Sequence, residues 1–93
     1  MTTQQRFTTA EAAEVARQLS LDWNALPFDL EQFRMGMDVE LEHGTRDADT
    51  DVTGDAPLLT GKIALAHLRE LPDYYTRLAI MEAEGEAALD ERT

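Results

Sequence analysis

Two histidines and a pair of glutamates hold the candidate chemistry of this chain. They occur as Glu40-x-x-His43 and His67-x-x-Glu70. Three residues make about one helical turn, so each pair shares a helix face. Two imidazoles and two carboxylates form an N/O donor set suited to one divalent ion such as Zn, Fe or Mn. The chain has no cysteine, which excludes thiolate sites. Glu40, His43, His67 and Glu70 are therefore the candidate metal ligands, with Tyr74 and Glu82 behind them. The same residues also fit a metal-free core network. A Glu40–His67 or Glu70–His43 pair, joined by the Tyr74 or Tyr75 hydroxyl, would satisfy both partners internally. Glu-x-x-His also occurs in di-iron carboxylate bundles. Here the second pair is reversed and Glu82 is the only further acid near an inner face, so that match is poor.

Catalysis ranks behind both readings. A carboxylate with a histidine can move protons, but the chain has no G-x-S-x-G, no phosphate-cradling glycine loop and no nucleophile beside a base. No catalytic residue is assigned, and a non-enzyme is favoured. The aspartates from Asp49 resemble the opening of a calcium loop. Its twelfth position is Thr60, where a bidentate Glu is needed, so turn and capping chemistry explains them better.

Four helices have to position these residues. The first runs Ala10 to Leu19. Thr8 and Glu11 form a capping box, and Ala12, Val15, Ala16 and Leu19 share its inner face. A connector follows with Leu21, Trp23 and Phe28 as anchors, and Trp23 reads as a core plug rather than a binding surface. Asp29 caps the second helix, Leu30 to His43, with Gly44 as its stop. Its wheel puts Glu31, Arg34, Asp38 and Glu42 on a solvent stripe, and Phe33, Gly36, Met37, Glu40 and His43 inside. Gly36 costs about 1 kcal/mol in mid-helix, which points to a close approach on that face. Asp55 caps the third helix, Pro57 sits in its first turn, and Pro72 ends it after Leu71. Thr60, Ile63, Ala64, His67 and Leu71 form its inner stripe, with Glu70 on the flank. Asp73 caps the fourth, which presents Tyr74, Leu78 and Met81 inward through Glu82 and weakens at Gly85.

The expected fold is all-α: a small four-helix domain spanning 7–85, with a long polar loop between helices 2 and 3 and frayed tails at 1–6 and 86–93. One geometric difficulty attends the metal site. Helices 2 and 3 as antiparallel neighbours would carry their Glu/His pairs to opposite poles. A steep crossing, or a symmetric homodimer, would bring them together.

At 93 residues the chain is one small domain. It carries 8 Lys plus Arg against 19 Asp plus Glu, a net charge of -11. That disfavours nucleic acid and anionic membranes as partners and favours a cation or a basic protein. With no apolar leader or spanning run, a soluble cytoplasmic protein is expected.

Val39-Glu40-Leu41-Glu42-His43-Gly44, Asp51-Val52-Thr53-Gly54-Asp55, Lys62-Ile63-Ala64-Leu65-Ala66-His67-Leu68 and Pro72-Asp73-Tyr74-Tyr75-Thr76-Arg77-Leu78 resemble a bacterial and phage family of small proteins known as a domain of unknown function, DUF5661. The likeness spans roughly Phe7 to Glu82 and is most specific from Glu40 to Leu78. The family brings no established activity. The resemblance implies one intracellular helical domain and adds no ligand or catalytic role.

Overall fold

A computed structural model describes residues 6–46 and 56–92, apart from the side chains of 43–46 and 91–92. Four helices follow one another: α1 (Thr9–Gln18), α2 (Leu30–Arg46), α3 (Pro57–Glu70) and α4 (Tyr74–Arg92). The described residues contain no strand. The Asp49–Thr60 calcium-loop comparison falls largely outside them, as does Asp55.

The capping box opens α1: Glu11 N–H donates to Thr8 Oγ1 at 3.1 Å, and Thr8 N–H to Glu11 Oε1 at 2.9 Å. Its end was not legible from residue preference. Ser20 takes φ 58°, a left-handed position usually given to glycine. Ser20 N–H then reaches the Arg17 carbonyl and Leu21 N–H the Ala16 carbonyl, both at 3.0 Å, closing the last turn. Asp29 caps α2 by accepting Gln32 N–H at 2.9 Å. The helix passes Gly44 and ends at Arg46, later than the expected stop.

The charged stripe on α2 needs correction. Arg34 and Asp38 are buried, at 9% and 4% exposure. The chain before α1 folds over them. Asp38 Oδ1 accepts Arg6 N–H and Phe7 N–H, each at 2.9 Å. Arg34 Nη1 donates to Asp38 Oδ2 at 2.7 Å and to the Phe7 carbonyl at 3.3 Å, and its Nη2 pairs with Glu31 at 2.6 Å. The charges are paired and saturated, the condition under which burial is tolerated. Phe7 itself enters the core.

The inner face of α3 is rotated from the expected stripe. Thr60, Gly61, Ala64, Leu65 and Leu68 are buried, Ile63 and His67 sit on the margin, and Leu71 is exposed. The small residues decide this. A Cβ on Gly61 would meet Phe33 Cζ at 3.2 Å, and one on Gly36 would meet Ala64 Cβ at 3.0 Å. Glycine at both contacts lets α2 and α3 approach closely. Among the described residues no side chain caps α3; Ala56 holds the N-cap position, and Thr60 Oγ1 donates to its carbonyl at 2.9 Å. Leu71 turns extended (φ -150°, ψ 108°) ahead of Pro72, which disfavours a helical residue before it.

Contacts between α2 and α3 advance together: Phe33 by Gly61, Gly36 by Ala64, Glu40 by His67. The two helices therefore run in the same sense where they touch, and the antiparallel expectation fails. The core gathers Phe33, Met37, Leu68 and Tyr75. Trp23 packs edge-on against Phe28 and Phe33 with centroids 6.1 Å away in both cases, half-buried at the margin of the core. In α4 Tyr75, not Tyr74, is the buried ring. Met81 is 60% exposed, against its expected inward position, and the helix continues through Gly85. Asp73 pairs with Arg77 Nε at 2.9 Å.

Candidate functional site: a glutamate, histidine and tyrosine cluster

The absence of a side chain at Gly36 prepares the site. A Cβ there would overlap the Tyr75 ring, so glycine lets that ring pack closely against α2. The phenol then reaches one turn along the helix, and Tyr75 Oη donates to Glu40 Oε2 at 2.8 Å. Burial foremost, and the neighbouring Glu40 carboxylate next, push the Tyr75 phenol well above its ordinary pKa. It keeps its proton and serves Glu40 as a fixed donor.

His67 approaches the same oxygen from α3, its Nε2 lying 3.6 Å from Glu40 Oε2. That is too long for a direct hydrogen bond. The imidazole is held by aromatic rings. It stacks on Tyr74 (centroids 4.4 Å, planes 9°) and meets Tyr75 edge-on (6.1 Å, 89°), while the two tyrosines contact each other at 4.9 Å and 82°. Glu40 is nearly enclosed, with 11% of its side chain exposed, and His67 opens to solvent at 34%. The cluster is an acceptor at the bottom of a tyrosine-walled notch with an imidazole at its mouth.

Of the four candidate ligands, Glu40 and His67 are brought together. Glu70 is the last residue of α3 and is exposed. His43 belongs to α2, and its side chain lies outside the described ones. Among the described residues no three His, Asp or Glu side chains gather as a metal-binding group. Of the supporting residues, Tyr74 braces the imidazole and Glu82 is half-buried. The donor to Glu40 is Tyr75. Its signal in the sequence was a glycine on α2: a mid-helix Gly36 one turn before an inward Glu marks room for a ring whose polar tip ends at that acid.

Among the described residues no helix is long and apolar enough to cross a membrane. No curated protein and no solved structure matches the chain. Residues 12–84 match the family described as "Protein of unknown function (DUF5661)", and this all-α chain belongs to that family.

Proposed function

We propose that this domain binds one divalent metal ion, Zn, Fe or Mn, at Glu40 and His67, with His43 and Glu70 completing the site. The observation that carries the reading is the common direction of α2 and α3. Glu40 and His67 stand at one level of the helix pair, 3.6 Å apart. Three residues further along the sequence come His43 on α2 and Glu70 on α3, the second Glu/His pair of the proposed site. Two ligand atoms on a tetrahedral ion, each about 2.0–2.2 Å from it, lie about 3.3–3.6 Å from one another. The separation of Glu40 and His67 suits an ion between them better than a direct bond.

A second reading is favoured by the Tyr75 hydroxyl, which already satisfies Glu40. In it the cluster is a structural brace, and the domain is a metal-free interaction module whose acidic surface meets a basic protein. The measurement is metal analysis of untagged protein purified without chelator, paired with thermal melts before and after EDTA. Near-stoichiometric metal, a melting temperature that drops with EDTA, and loss of that response in His67→Ala are expected. No bound metal, with melts unmoved by EDTA or added divalent ions, overturns the metal site. In that event His67→Ala lowers stability equally with and without chelator.

A further inference from the structure

An open groove of about 460 Å³ lies away from the glutamate and histidine cluster, between the α1–α2 connector and the α3–α4 turn. Trp23, Pro27 and Pro72 line it, with Asp29, Gln32 and Asp73 as its polar members. The volume falls in the range of small-molecule and side-chain pockets.

Three observations bear on its occupant. Both charged lining residues are carboxylates. Asp29 uses Oδ1 to accept Gln32 N–H, and Asp73 accepts Arg77 Nε. A carboxylate has about four acceptor positions, so each keeps capacity for a further donor. Next, Gln32 Oε1 is the one buried side-chain polar atom among the described residues without a hydrogen-bond partner, although Gln32 Nε2 donates to Thr76 Oγ1 at 3.0 Å. A buried acceptor without a donor is costly. The groove thus combines apolar walls and two acids with a Gln32 side chain whose buried oxygen would gain a donor by turning toward it. Finally, the whole chain carries -11, which draws cationic partners toward it. Arg77, exposed, pairs with Asp73 at this rim.

We propose that this groove takes an arginine side chain from a partner polypeptide, its methylene stem along Trp23 and the prolines and its guanidinium toward Asp29, Asp73 and Gln32. A guanidinium fits better than an ammonium. It is planar, weakly hydrated and rich in donors, and it packs against aromatic rings. The inference stands apart from the metal site and survives its failure.

The test is an NMR titration of ¹⁵N-labelled protein with N-acetyl-Gly-Arg-Gly-amide at low salt, followed at the Trp23 indole N–H and the Gln32 side-chain amide. Trp23 is the only tryptophan, so its fluorescence gives a second readout. Saturable shifts at both groups are expected. Affinity should fall at least about threefold for the citrulline peptide, which keeps most of the donors and loses the charge. The same loss is expected for Asp73→Asn and for Gln32→Met, with melts taken on each variant to establish folding. If Gln32→Met does not fold, the citrulline and Asp73→Asn arms decide. No shift at Trp23 or Gln32 up to about 10 mM peptide overturns the proposal. So does an unchanged affinity in the citrulline and Asp73→Asn arms, and so do shifts that map to α4 instead.

Discussion

Glu40 Oε2 accepts a hydrogen bond from Tyr75 Oη and faces His67 Nε2, so one atom joins α2 to both later helices. Tyr75→Phe removes its donor and leaves a nearly enclosed carboxylate short of a partner. We expect a loss of about 1–3 kcal/mol in urea denaturation at neutral pH. The pH dependence follows from the raised phenol pKa. In the unfolded chain Tyr75 titrates near its ordinary value of about 10. Since the folded state holds the proton more tightly, this stabilisation is complete below about pH 10 and is lost as pH rises beyond it. Stability measured from pH 9 to 11 should therefore fall more steeply in wild type than in Tyr75→Phe. Asp38 is the other decisive residue. Asp38→Ala strands a buried Arg34 and two backbone N–H groups, for an expected loss of about 3–5 kcal/mol. The inward placing of Glu40 was legible from the wheel of α2. The burial of Arg34 and Asp38 was not, because a wheel ranks residues within one helix and cannot see a non-helical segment laid across its polar side.

Helix starts were easier to read than helix ends. Thr8 and Asp29 cap through side-chain oxygens, and such residues have few other uses at those positions. The ends of α1, α2 and α4 depend on backbone conformation and packing. Ser20 adopts a glycine-like angle, while Gly44 and Gly85 sit inside helices. Gly36 and Gly85 make a controlled pair. A Cβ at Gly36 would run into the Tyr75 ring and Ala64, whereas one at Gly85 meets nothing within 4 Å. Gly36→Ala should destabilise by about 1–3 kcal/mol through overpacking. Gly85→Ala should stabilise α4 by up to about 1 kcal/mol through helix propensity. Chemical denaturation of the two variants side by side checks both signs, and equal signs would contradict the packing described for Gly36.

At the scale of the molecule, the direction of α3 decides whether the two Glu/His pairs can share a site. Short connections make antiparallel neighbours, and that rule supplied the expectation. The stretch between Arg46 and Pro57 is long enough for the alternative. It can reach up to about 35 Å when extended, more than the roughly 25 Å rise of α2. What selects the common direction is the fit of Gly61 to Phe33 and of Gly36 to Ala64, contacts between residues far apart in the chain. The distal half of α4 takes little part in this body: Ile80, Met81 and Leu89 are 55%, 60% and 62% exposed. Ending the chain after Gly85 should leave urea stability within about 0.5 kcal/mol of full length.

The clasp at Asp38 also has a consequence for synthesis. Phe7 and Arg6 are held by a side chain 31 and 32 positions later. On a ribosome, the segment carrying Arg6 and Phe7 leaves the exit tunnel with no seat to occupy, and its seat exists only once the first half of α2 has followed. α1 can coil on its own capping box, but it cannot dock. The segment ahead of α1 is thus made before the helix that seats it, and a nascent chain stalled before Asp38 would present an uncovered Phe7 to any chaperone that binds exposed aromatic residues.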